Sequence, residues 1–340
     1  MRPTHPPKTM PPAVVLHQMM TGFWTSLAIY TAAELGVADH LKKGSRTIKE
    51  LARAVRAQPD ALYRLMRALA SLGVFNEVKP GRFTTTPIGT CLQSNTPGSL
   101  RALVRTVGEL DWEPWGNLLY SIKTGKTAFE KVHGIRFFDY LQKNPKKGRL
   151  FDEAMTGFVS KNISAVMDAY DFSSFSKVID IGGGRGTFLS AVLKSNPSAS
   201  GTLFDMPSVV KSASKQISPK ILQRCSLVGG SFFDSVPSGA DLYLMASIIH
   251  DWSDKQSVAI LKNCRRAMPK HAKLLLIEMV IPPGNTPSFG KLLDLHMLVS
   301  LGGKERTAQE YGGLMSAAGL RLTQIVPTAA PVSIIEATRT

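Results

Sequence analysis

The residue types best suited to chemistry lie in the second half of the chain. Asp180-Ile181-Gly182-Gly183-Gly184-Arg185-Gly186 follows a short apolar run at 178–181 and precedes a helical segment reaching residue 194. Glycines at a strand-to-helix turn permit a tight reversal and let a ligand approach the backbone amides. The Gly182-x-Gly184-x-Gly186 spacing lacks the GxGxxG interval of a dinucleotide pyrophosphate site. Asp205 closes the next apolar run, 23 residues after Gly182, where a carboxylate suits both hydroxyls of a ribose. Asp180, just ahead of the glycines, suits a cationic amino-acid portion of a ligand.

Of seven histidines, His250 stands apart, because it follows the strand-like run 241–245 almost directly. Ligand sites in open α/β sheets gather at the carboxyl ends of strands. Glu278 falls inside the next apolar run, 273–280, an expensive place for a carboxylate without a partner. A general base needs an acceptor to orient it, so a His with a nearby carboxylate is the arrangement for removing a proton. There is no HxH, HxxxH or Cys/His cluster, and no metal is expected. Cys91, Cys225 and Cys264 are odd in number and far apart, which reads as reduced thiols rather than disulfides.

The elements that must position these groups change character along the chain. Residues 1–12 are proline-rich and read as a disordered tail without the apolar stretch of a secretory signal. Residues 25–35 read as a helix ending at Gly36. Thr47-Ile48-Lys49-Glu50 is a capping box. The next helix opens at Pro59 and closes at Gly73, with Leu62, Leu65, Met66, Leu69 and Leu72 on one stripe. Residues 74–86 read as a hairpin turning at Lys79-Pro80-Gly81. Together these make a winged-helix pattern over 13–100. Residues 101–170 read as a helical, aromatic-rich linker to a domain over 171–340. There, short apolar runs alternate with helices, which predicts a parallel sheet covered on both faces.

No apolar run approaches the roughly 20 residues of a membrane helix, and a cytoplasmic protein is expected. The charge is +16, with +12 in residues 1–150 and +4 in the remainder. Such an excess fits nucleic acid, an anionic ligand or a solvated basic surface, and the last is the plainest reading.

Taken together, DIGGGRG at 180–186, FDMP at 204–207, GGSFF at 229–233, IIHDWSD at 248–254, IEMVIP at 277–282 and GGKERT at 302–307 resemble a known family. It comprises the S-adenosylmethionine-dependent O-methyltransferases of the caffeate, flavonoid and hydroxyindole type and their bacterial relatives. The resemblance spans nearly the whole chain. It implies an α/β fold: a Rossmann-like methyltransferase sheet with helices on both faces, plus a mainly helical winged-helix dimerisation domain that closes the partner's acceptor pocket in a homodimer.

By the same resemblance, Gly182 and Gly184 touch S-adenosylmethionine, Asp205 binds its ribose, and Ser231, Phe232 and Trp252 lie near its adenosine. His250 corresponds to the catalytic base, flanked by Glu278 and Glu305. The plant enzymes carry Asp at the position of Ser231, Met at that of Phe232 and Lys at that of Ala246. Acceptor contacts fall on Trp112, Trp115, Phe158, His296, Met297 and Ser300, by helix position and by analogy. The implied reaction is methyl transfer to a hydroxyl of a small aromatic acceptor, with neutral His250 as base. Relatives that methylate carbon or nitrogen, or that decarboxylate or hydroxylate, define one alternative. A winged-helix DNA-binding regulator using Arg64 and Arg67 defines another.

Overall fold

The computed structural model describes residues 10–340, apart from the side chains of 158–161, so most of the proline-rich tail lies outside the described residues. Two compact units meet between Glu109 and Leu110, and residues 101–170 are divided between them.

The first unit opens with the helix Pro12–Glu34, much longer than the 25–35 segment legible in the sequence, and turns at Gly36 with φ +66°. Strands β1 (Arg46–Thr47), β2 (Phe75–Lys79) and β3 (Arg82–Thr85) form an antiparallel sheet in the order β1-β3-β2. The capping box forms: Thr47 Oγ1 accepts from the Glu50 amide at 3.3 Å, while the Thr47 amide donates to Glu50 Oε2 at 2.6 Å. The helix Pro59–Ser71 buries Leu62, Met66 and Leu69 among Phe75 and Phe83. Leu72 departs from the expected stripe. It caps the helix rather than continuing it, and it is half exposed.

The second unit holds seven strands: β4 (Lys177–Ile181), β5 (Ser200–Asp205), β6 (Cys225–Gly229), β7 (Leu242–Ala246), β8 (Lys273–Glu278), β9 (Leu320–Pro327) and β10 (Ser333–Arg339). Their order is β6-β5-β4-β7-β8-β10-β9. The first five are parallel, but β10 runs antiparallel to both β8 and β9. The expected parallel sheet is thus joined by an antiparallel edge, since apolar runs carry no direction and a short 328–332 link permits a hairpin.

Successive strand residues alternate between two cores, as a pleated strand requires. Ile179, Tyr243, Met245, Leu274 and Leu276 pack with Ile260, Leu261 and Cys264 of the helix Asp254–Ala267 and with Tyr311 and Met315 of the helix Ala308–Ala317. Val178, Leu242, Leu244, Leu275 and Ile277 instead meet Phe188, Leu189, Val192 and Leu193 of the helix Thr187–Ser195. Helices thus cover both faces. Strand order reverses between β4 and β7, where the sheet offers a crevice at its carboxyl ends. Among the described residues no helix is long and apolar enough to cross a membrane.

Candidate active site

The glycine turn leaves β4 at that crevice. Gly182, with φ +69°, occupies the left-handed region, and a Cβ there would strike the Ile248 side chain, two residues before His250. Above Gly184 (φ +56°) there is open space. Its amide donates to Asp205 Oδ2 at 2.9 Å, while the Met206 amide donates to Oδ1 at 2.7 Å. Two of the four acceptor positions of that carboxylate are therefore used, and two remain for ribose hydroxyls. Burial raises the Asp205 pKa, against the two backbone amides that lower it.

Asp180 is wholly buried. Its Oδ2 accepts from the Leu189 amide at 3.3 Å, and its Oδ1 has no partner among the described residues. Burial pushes its pKa up to about 7. A Cβ on Gly183 would meet this carboxylate, so Asp180 sits directly beneath the turn it organises.

Beside the turn lies an aromatic group. Trp252 stacks on Phe138 (5.9 Å between centroids, 26° between planes) and meets the edges of Phe232 and Phe233. Asn263 Nδ2 donates to the carbonyls of both phenylalanines at 2.8 Å and so holds their segment in place. Ser231 spends its hydroxyl locally, accepting from the Phe233 amide at 3.2 Å. The indole N–H of Trp252 is buried without a partner among the described residues.

His250 lies on a single 3₁₀ turn, Ile249–Asp251, just past β7. Ser247, with φ +55°, adopts a left-handed conformation rare for a serine and redirects the chain there. Glu278, at the end of β8, accepts from the amides of Ile248 (3.0 Å) and Ile249 (2.8 Å), which pins the turn to the sheet. The imidazole is surrounded by carboxylates. Nδ1 is 2.7 Å from Glu305 Oε1 and 3.8 Å from Glu278 Oε2, and Nε2 is 3.4 Å from Asp251 Oδ1.

Burial disfavours the charged ring, but Glu278, Asp251 and Glu305 together outweigh it and raise His250 to about 10. Burial in turn raises Glu278 to about 7 and Asp251 to about 6. The carboxylates around the ring thus favour its protonated form. His250, Glu278 and Glu305 also bring ligand-type atoms within 4.8 Å of one another. The short Nδ1–Glu305 bond already engages one of those atoms, as suits proton holding.

The GGKERT segment supports this turn from behind. Gly303 packs so tightly on the His250–Trp252 backbone that a Cβ would run into it. Arg306 is fully buried, donating to Asp254 Oδ1 at 2.8 Å and 3.0 Å and to the carbonyls of Ile249 and Trp252 at 3.1 Å and 2.8 Å. Sequence reasoning gave no role to Asp251, Gly303 or Arg306, although they lie in IIHDWSD and GGKERT, and it counted Phe138 only as one of several aromatics able to line a pocket.

On the acceptor side, Trp115 Nε1 donates to His296 Nδ1 at 3.0 Å, joining the short helix Trp112–Trp115 to the helix Phe289–Ser300. Burial, then the charge of His250, lowers His296 to about 4. Met297 is buried, its carbonyl accepting from the amides of Leu301 and Gly302. Ser300 is buried, with its hydroxyl unpartnered. Trp112 stands 42% exposed, and the Phe158 side chain lies outside the described residues. Of the other aromatics, Phe129, Phe137, Tyr140 and Phe151 are engaged with one another in edge-on pairs, as packing residues.

An α/β sheet with a glycine turn and an acidic strand end at its switch point is the arrangement of a nucleotide-type cofactor site, and here a carboxylate-bound histidine lies beside it. The O-methyltransferase domain family matches residues 115–321, and the O-methyltransferase dimerisation domain family matches residues 17–95. A phenazine O-methyltransferase of Lysobacter antibioticus is 47% identical, over 96% of each chain. An 8-amino-8-demethylriboflavin N,N-dimethyltransferase of Streptomyces davaonensis is 35% identical, over 98% of this chain and 96% of its own. The crystal structure of an O-methyltransferase from neocarzinostatin biosynthesis, in complex with S-adenosylmethionine and 2-hydroxy-5-methyl naphthoic acid, superposes with a TM-score of 0.82. It is 34% identical and covers 93% of this chain and 96% of its own. The chain belongs to the family of S-adenosylmethionine-dependent O-methyltransferases that act on small aromatic molecules.

Proposed function

We propose that this protein transfers a methyl group from S-adenosylmethionine to a hydroxyl of a small aromatic acceptor, with His250 taking the hydroxyl proton at Nε2. The observation that carries the reading is the Glu305–His250 bond beside the glycine turn. With Nδ1 donating to Glu305, the proton that exchanges is the one on Nε2.

When bound, S-adenosylmethionine supplies an electrophilic methyl group on a sulfonium with a neutral leaving group. Gly184, the free acceptor positions of Asp205 and the unpartnered Oδ1 of Asp180 suit its ribose and its amino group. The protein must then present an ionised acceptor in line. A phenol of pKa about 10 is roughly one part in a thousand ionised at pH 7, about 4 kcal/mol of barrier. In its neutral form, gained on the alkaline side of neutrality because His250 is raised to about 10, the ring matches such a phenol and the proton passes from the hydroxyl to Nε2 at little cost. The imidazolium that results stays held by Glu305, Glu278 and Asp251.

Methylation of nitrogen is the second reading, favoured by the N,N-dimethyltransferase relative. An amine acceptor needs His250 less, and the three carboxylates around the ring weigh toward oxygen. The match of residues 17–95 to a dimerisation domain supports a homodimer in which this unit takes part. Free Cys91, Cys225 and Cys264 fit a reducing, cytoplasmic setting.

His250→Gln is expected to leave S-adenosylmethionine binding by calorimetry within a few-fold of wild type and to lower phenol methylation by about a hundredfold. A fully active variant would end the assignment of the base.

A further inference from the structure

Trp115 and His296 form a pair whose chemistry is settled by one bond. An indole N–H only donates, so the 3.0 Å bond from Trp115 Nε1 obliges His296 Nδ1 to accept. The remaining hydrogen of a neutral ring must then sit on Nε2. The rings lie within 15° of coplanar with their centroids 6.2 Å apart, the disposition of an edge-to-edge N–H···N bond. Among the described residues no group partners His296 Nε2. The imidazole is also close enough to His250 for the two rings to oppose each other's charge. Two histidines therefore sit in one site in opposite states. His250 is surrounded by carboxylates that favour its proton, while burial, then the charge of His250, keeps His296 neutral and the indole N–H fixes which of its nitrogens accepts.

We propose that Trp115 locks His296 as the neutral Nε2–H form, a fixed hydrogen-bond donor that selects acceptors bearing an oxygen acceptor group (carboxylate, carbonyl or N-oxide) on the ring beside the hydroxyl to be methylated. The proposal rests on the reading of His250 as the base and adds the class of acceptor. A neutral donor discriminates sharply. A ligand without the oxygen forfeits the bond, and a ligand that offers a donor leaves two N–H groups opposed. A charged Lys or Arg in its place would bind anions indiscriminately, whereas this ring admits anionic and neutral oxygens alike.

The test measures ligand binding and tautomer without requiring turnover. Full-length protein saturated with S-adenosylhomocysteine is titrated with 2-naphthol and with 3-hydroxy-2-naphthoate, a pair differing in the ortho oxygen group. The oxygen-bearing ligand is expected to bind about tenfold more tightly. His296→Leu brings that ratio near one, His296→Asn, which keeps a donor, retains part of it, and Trp115→Phe gives an intermediate value. In ¹⁵N-histidine NMR the wild-type His296 shows the neutral Nε2–H pattern down to about pH 5, and Trp115→Phe mixes the two tautomers. A wild-type ratio near one, no measurable binding of the hydroxynaphthoate, or an Nδ1–H or imidazolium signal at pH 7 overturns the proposal. Failure of the base assignment reads out separately, as methyl transfer that survives His250→Gln.

Discussion

The Glu305 carboxylate, 2.7 Å from His250 Nδ1, leaves Nε2 as the nitrogen for the proposed base, and it adds to the Glu278 and Asp251 charges that raise the ring's basicity. The cluster titrates as a unit, and its base form is gained as the last proton leaves on the alkaline side of neutrality. At saturating cofactor, kcat/KM for a phenolic acceptor is therefore expected to climb from pH 7 to pH 9. Glu305→Gln removes one of the charges that raise His250, so the rising limb should move toward neutrality by about one pH unit or more. A pH–rate profile of the two proteins decides the point, and a limb that stays in place counts against it. Gly303 acts through geometry instead. A Cβ there would sit 2.7 Å from the Trp252 amide and closer still to the His250 carbonyl, and backbone atoms have nowhere to yield. Gly303→Ala should displace the base and lower kcat by about a hundredfold, as a misplacement near 1 Å does. Unchanged kcat in a steady-state assay would show that the turn can relax.

The strands that carry the site are tied at their opposite end by a polar hub. Glu336 of β10 accepts from Thr323 of β9 (2.6 Å), Tyr170 (2.5 Å), Lys273 of β8 (2.9 Å) and Gln324 of β9 (3.2 Å). Burial works to raise its pKa, yet these four partners prevail and hold it at about 2. Because the folded carboxyl lies below its ordinary 4.5, the hub stabilises the fold fully above that value and loses its contribution as pH falls toward 2. Acid unfolding followed by circular dichroism should show Glu336→Gln less stable than wild type at pH 6, with the gap closing by pH 2.

Most elements were legible because they follow period and punctuation: the capping box at Thr47, Pro59 at a helix start, the glycines after β4. The strand β6 was not, since at the sheet's edge its residues alternate between partly and largely exposed and carry only Leu227 and Val228 as strong apolar signals. Arg306 was illegible for a different reason. An arginine reads as surface, and only the folded chain shows it enclosed by the carbonyls of the turn it braces. Within the site, Asp180, Asp205, His250 and Glu278 stood out as polar residues in or at the ends of apolar runs. Glu305 needed the family's pattern, because its own segment has no strand or helix periodicity.

At the scale of the whole molecule, the long first helix carries an unexplained apolar surface. Leu16, Met19, Met20 and Trp24 are 68%, 73%, 62% and 61% exposed along Pro12–Glu34, beside Val14 and Phe23. Apolar residues on every side also explain why periodicity revealed only the end of this helix: a one-sided stripe requires one buried side. A contiguous surface of this kind is rare on a monomer and marks an interface. Most of it falls within residues 17–95, the segment matching the dimerisation domain. A second copy of this chain is the partner that such a match supports, and covering the helix contributes to the roughly 800 Å² per subunit that a stable dimer buries. Wild-type protein should sediment as a dimer at micromolar concentration. Replacing Met19 and Met20 together by Glu places four buried charges across a two-fold interface, and the double variant should sediment as a monomer whose far-ultraviolet circular dichroism stays helical. A monomeric wild type, or a double variant that remains dimeric, would remove this helix from the interface.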